Sequence, residues 1–134
     1  MLGNRLLGAL AISMCLTATT SGRLIGDKVA RKLASEALAV RGINVRGFVL
    51  VPYVNDSAPD FYSYQALAQS SNSNGSLGFF AVNAWTGDVW NIDTCSRVSS
   101  PALQKDQQSI LKRSGMSPLA ATTLRERSPG CRPD

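Results

Sequence analysis

The chain contains no histidine in 134 residues. That absence removes the commonest general base, metal ligand and triad partner. A serine nucleophile would need lysine as its base, and Lys28, Lys32, Lys105 and Lys112 all fall on helical faces that read as exposed. Cysteine is scarce as well, with three in all. Two thiols left after removal of a leader make a poor zinc site without imidazole, and Cys95 as a nucleophile would lack a partner to lower its pKa. No glycine-rich phosphate loop is present. Asn55, Asp56 and Asp60 mix like calcium ligands but lack the alternating order of a dedicated loop. Asp88 and Asp93, the one carboxylate pair near a strand, fall on opposite faces because five residues separate them. These gaps predict a protein without catalytic activity and without a cofactor or metal.

Charge is sparse too, at 17% of residues, with a formal net charge of +5. The basic residues are scattered, with no run of three, so no nucleic-acid track is expected. The longest apolar stretch, Leu6 to Leu16, is too short for a mature bilayer span. It follows Arg5 and precedes small and polar residues at 17–22, the order of a secretory signal peptide. Cys15 has a lipoprotein-like setting in Ile12 and Ser13, but Met14 stands where a small residue is expected. The expectation is an exported protein, periplasmic or secreted, with a signal peptide at 1–22, no stable transmembrane span after its removal, and lipid anchoring at Cys15 as the lesser alternative. Cys95 and Cys131 then form an even pair in an oxidising compartment, and a disulfide between them is expected. Asn55-Asp56-Ser57 and Asn74-Gly75-Ser76 match the N-glycosylation pattern and fall in predicted loops.

The mature length, about 110 residues, is that of one domain. Asp27 to Arg41 reads as an amphipathic helix through Val29, Leu33, Ala37 and Val40, stopped at Gly42. Val45 to Tyr53 reads as a strand near a sheet edge, closed by Pro52. Phe61 to Gln69 alternates, with Tyr62, Tyr64, Ala66 and Ala68 on one face. Leu77 to Asn83 and Asp88 to Ile92 read as a hairpin around Ala84-Trp85-Thr86-Gly87, where Gly87 can supply a positive φ. Ser100-Pro101 starts a second helix through Leu103, Gln107, Ile110 and Leu111, ending at Gly115. Residues 117–134 read as an irregular tail. The predicted fold is α+β, an antiparallel sheet of about four strands with an N-terminal and a C-terminal helix on one face, spanning 23–116.

The aromatic hairpin offers the best candidate binding surface. Trp85 sits at the turn, where burial is hard, Arg97 follows in sequence, and Tyr62 and Tyr64 lie on a neighbouring strand. Phe80 and Trp90 read instead as core. The segment Gly78-Phe79-Phe80-Ala81-Val82-Asn83-Ala84-Trp85-Thr86-Gly87-Asp88-Val89-Trp90 resembles the closing hairpin of PepSY-like domains, with Asn83 at the usually acidic position. That resemblance implies an extracytoplasmic regulatory or inhibitory module and no catalytic residues. The function expected from all of this is a small exported binding or inhibitory module acting on a protein or envelope polymer. The alternatives are an envelope-polymer enzyme using carboxylates and a structural envelope component.

Overall fold

The computed structural model describes residues 24–69 and 75–132. The leader, Cys15 and Asn74 lie outside the described residues.

Helix α1 (Asp27–Val40) buries Ala30, Leu33, Ala34, Ala37 and Leu38. These follow the i, i+3, i+4, i+7, i+8 template, whereas the predicted face through Val29 and Val40 is offset from it. Val29 and Val40 remain 37% and 49% exposed. The three alanines explain the correction, because short side chains let the helix backbone approach the sheet closely. Gly42 stops the helix as expected, at φ +77° with its N–H on the Ala39 carbonyl.

A five-stranded antiparallel meander follows: β1 (Phe48–Pro52), β2 (Phe61–Ala68), β3 (Ser76–Asn83), β4 (Val89–Asn91) and β5 (Ser96–Val98), in that spatial order. The strand expected from Val45 begins only at Phe48. Val45–Gly47 forms a 3-10 turn, in which the Asn44 side chain accepts the Arg46 N–H. Register places Leu50 opposite Ala66, Tyr64 opposite Phe80, and Val82 opposite Val89. These residues face α1 and form the main core with Leu33, Leu38, Leu103 and Ile110. The other sheet face carries a smaller cluster of Ala58, Phe61 and Ala81, backed by half-buried Trp90 and Ile92.

The last two hairpins repeat one turn. Asn83 ends β3, and its side-chain carbonyl accepts from the backbone N–H groups of Trp85 and Thr86. Asn91 ends β4 and does the same for Asp93 and Thr94. The fifth residue of each turn is left-handed: Gly87 at φ +74° and Cys95 at φ +47°. Each threonine hydroxyl then bonds the side chain two residues on, Asp88 or Ser96. Asn-Ala-Trp-Thr-Gly and Asn-Ile-Asp-Thr-Cys are therefore two spellings of one turn. Cys95 in the glycine position hides the second, so β5 extends the predicted sheet by a strand beyond Cys95.

Helix α2 (Pro101–Ser114) starts as expected, with the Ser100 hydroxyl accepting the Leu103 N–H at 3.2 Å and Pro101 in the first turn. It buries Leu103, Gln107 and Ile110, and Lys32 reaches Asp106 at 2.5 Å to join it to α1. The expected irregular tail is corrected by a third helix, α3 (Pro118–Arg125). Ser117 caps it by accepting the Ala120 N–H at 3.2 Å, repeating the Ser-Pro start of α2. No residue of α3 is fully buried, and its two turns are too short for an apolar period to stand out in the sequence. Beyond it the chain runs against the turn at 55–60. Arg127 pairs with Asp60 at 2.8 Å, and Asn55 donates to the carbonyl of fully buried Pro129. Cys131 and Cys95 form a disulfide with their Cα atoms 5.5 Å apart. Among the described residues no helix is long and apolar enough to cross a membrane.

Candidate functional site

The β3–β4 turn is the organising point of the surface. Asn83 is 1% exposed, and its amide nitrogen donates to the Leu124 carbonyl at 3.0 Å, fixing α3 against the hairpin. A carboxylate there could accept the same turn N–H groups but would set an oxygen against that carbonyl. This is a physical reason for an amide rather than an acid at position 83. One residue past the turn, Asp88 accepts the Thr86 hydroxyl at 2.8 Å and lies 3.4 Å from Arg125 Nε. The Gln107 amide donates to the Gly87 carbonyl at 3.2 Å, so α2 grips the turn from the other side. Gly87 has no room for a side chain, since a Cβ there would lie 2.7 Å from Ile110 Cδ1.

These contacts enclose a solvent-open cleft of about 500 Å³ between β5, α2 and α3. Arg97 and Val98 form one wall, Gln104 and Gln108 another, and Asp88 with Arg125 the floor. Arg97 is exposed, and its guanidinium lies 5.9 Å over the ring of Trp90, its cross-strand partner. Arg125 meets Asp88 as an ion pair, but its buried Nε–H makes no hydrogen bond.

The sequence-derived site residues do not converge. Arg97 enters the cleft. Trp85 is half-buried at the hairpin tip and does not line the cleft. Tyr62 is half-buried on the α1 side, its hydroxyl donating to the Ile25 carbonyl at 3.0 Å. Tyr64 is 1% exposed and packs in the core, and with Tyr62 it lines a separate cleft against the 52–61 segment, away from Arg97. Alternation placed these two tyrosines correctly on one face, but that face is the one the helices cover. Sequence reasoning missed Arg125 and the α2 glutamines, because the cleft exists only once α3 returns to the hairpin. The one available signal was the second Ser-Pro cap at Ser117.

The other acidic and amide residues singled out in the sequence are committed to structure. Asp93 accepts the Phe79 N–H at 3.2 Å, at the opposite end of β4 from Asp88. Asn55 bonds Ser57 through its oxygen and Pro129 through its nitrogen, the atom glycosylation would need. Among the described residues no group of three or more acids or cysteines is placed to hold a metal ion.

No protein-family model matches the chain, and no curated protein matches it in sequence. A solved structure shares the fold. It is a chain of a type VI secretion system effector-immunity complex from Pseudomonas protegens, 22% identical, with a TM-score of 0.65. The match covers 81% of this chain and 91% of that one, so the likeness extends over nearly the whole domain rather than one hairpin.

Proposed function

We propose that this protein is an exported, non-catalytic binding module that neutralises a protein toxin, the immunity member of a toxin–immunity pair. The observation that carries this reading is the whole-domain fold likeness to a chain of an effector-immunity complex. Three further features favour the inhibitor over the toxin. The sequence offers no histidine, Asp88 and Asp93 are held apart by separate partners, and the described surface presents a walled cleft instead of a reactive cluster. The signal-like leader and the Cys95–Cys131 disulfide support action outside the cytoplasm. The hairpin's resemblance to PepSY-like domains supports a role of the same class. Trp85 at the hairpin tip and Arg97 in the cleft are the contact residues this reading favours.

The test is protection. Cells secreting the product of the gene adjacent to this one should stop growing, and co-expression of this chain with its leader should restore growth. Purified together, the two proteins should elute as one complex. If growth is arrested equally with and without the chain, the immunity reading is wrong.

A further inference from the structure

We propose that the cleft beside β5 receives an acidic side chain carried on an extended segment of the protein partner, with Arg97 gripping its carboxylate. The inference rests on the toxin-binding reading for its partner but on the cleft alone for its chemistry. Two arginines line this cleft against one acidic residue. Asp88 is already shared between Thr86 and Arg125. Arg97 meets no carboxylate among the described residues, and the Trp90 ring beneath it restrains the side chain without neutralising it. An arginine held by stacking keeps its fork of N–H donors free, which suits bidentate recognition of a planar carboxylate.

The other walls distinguish a peptide from a bare anion. Gln104 and Gln108 supply neutral amides, each with a donor and an acceptor, and Gln104 is steadied by Ser99 at 2.9 Å. A phosphate presents mainly acceptor oxygens, whereas a peptide backbone alternates N–H and C=O and can use both halves of each amide. β5 is also the last strand of the sheet, paired with β4 and with no further strand among the described residues, so its outer edge lacks a strand partner there. Without Arg5 of the leader the chain still carries a formal charge of +4 (13 basic minus 9 acidic residues), which favours association with an acidic partner.

The test is an NMR titration of the labelled mature protein with its disulfide closed. The probes are a blocked five-residue peptide with a central glutamate between valines, its glutamine counterpart, and inorganic phosphate. The glutamate peptide should shift the backbone amides of Ser96 to Ser99 and the Arg97 Nε–H, and the glutamine peptide should bind about tenfold more weakly. Arg97→Gln should bring the glutamate peptide down to the glutamine level. Because Arg97 is exposed, its replacement should lower the melting temperature by no more than a few degrees, the loss expected of its contact with Trp90. Equal binding of the two peptides, shifts confined to other surfaces, phosphate binding as tightly as the glutamate peptide, or no shift at millimolar peptide would each overturn the proposal. In the protection assay, an Arg97→Gln chain that protects as well as the wild type would remove the cleft and leave the immunity reading standing. The expected titration with no protection would remove the immunity reading and keep the carboxylate cleft.

Discussion

Tyr64 donates its hydroxyl to Asp27 at 2.7 Å, and Arg31 donates to the same carboxylate at 2.6 Å while lying 5.1 Å over the Tyr64 ring. The tyrosine hydrogen bond, then Arg31, hold the Asp27 carboxyl below its ordinary range. Burial, then the same bond to Asp27, push the Tyr64 phenol up. One bond therefore acts at both ends of the pH scale. The lowered carboxyl contributes stability that is present above the ordinary carboxylate range and lost as pH falls through its folded value. The raised phenol contributes stability that is complete below about pH 10 and lost as pH rises beyond it. Asp27 is about half exposed, so solvent screens the pair, and about 1 kcal/mol is the scale expected of the bond. Tyr64→Phe should lower the denaturant midpoint at pH 7 and flatten the decline above pH 10. Urea melts at pH 3, 7 and 10.5 check this, and identical pH profiles for variant and wild type would show the bond contributes nothing. Alternation over 61–69 was enough to place Tyr64 on a buried face. Its role as a polar anchor for α1 needed Asp27, which is remote in sequence.

At the scale of elements, the paired hairpins make a direct prediction about Cys95. A non-glycine residue in the left-handed region costs about 1–2 kcal/mol, which the turn at Gly87 avoids. With Cys131 replaced by serine, the disulfide no longer requires cysteine at 95. Cys95→Gly in that background should then be more stable than Cys95→Ser by about 1 kcal/mol. Thermal melts of the two double variants decide it, and a serine variant at least as stable would mean that the Asn91 turn tolerates a side chain at no cost. The helix starts at Ser100-Pro101 and the hairpin at Gly87 were legible in the sequence, because caps and glycine turns are written in adjacent residues. β5 and α3 were not. One is too short for alternation to register and starts from a disguised turn, and the other is a two-turn helix with no fully buried residue.

For the whole molecule, the disulfide is the closure that holds the C-terminal segment in place. Further ties of that segment include Arg127 to Asp60, Arg125 to Asp88, Asn55 to the Pro129 carbonyl, and Asn83 to the Leu124 carbonyl. Closing 36 residues of chain is worth roughly 3–4 kcal/mol in the chain-entropy account. Cys131→Ser should therefore lower the melting temperature by at least about 4 °C. Reduction should lower the wild type similarly and leave the variant unmoved. Equal melting of variant and wild type would mean that the polar ties alone hold the tail.

The sequence by itself determined the α+β class, the first helix, the β3–β4 hairpin, the α2 cap and the cysteine pairing. Each rests on local periodicity, on neighbouring residues, or on Cys95 and Cys131 being the two cysteines outside the signal-like leader. Tertiary structure alone decided which aromatic residues meet solvent and where a cleft opens. Burial of Tyr64 depends on α1 crossing the sheet, and the meeting of Arg97, Asp88 and Arg125 depends on α3 folding back to the Asn83 amide. Such contacts join residues far apart in the chain, and no local pattern encodes them.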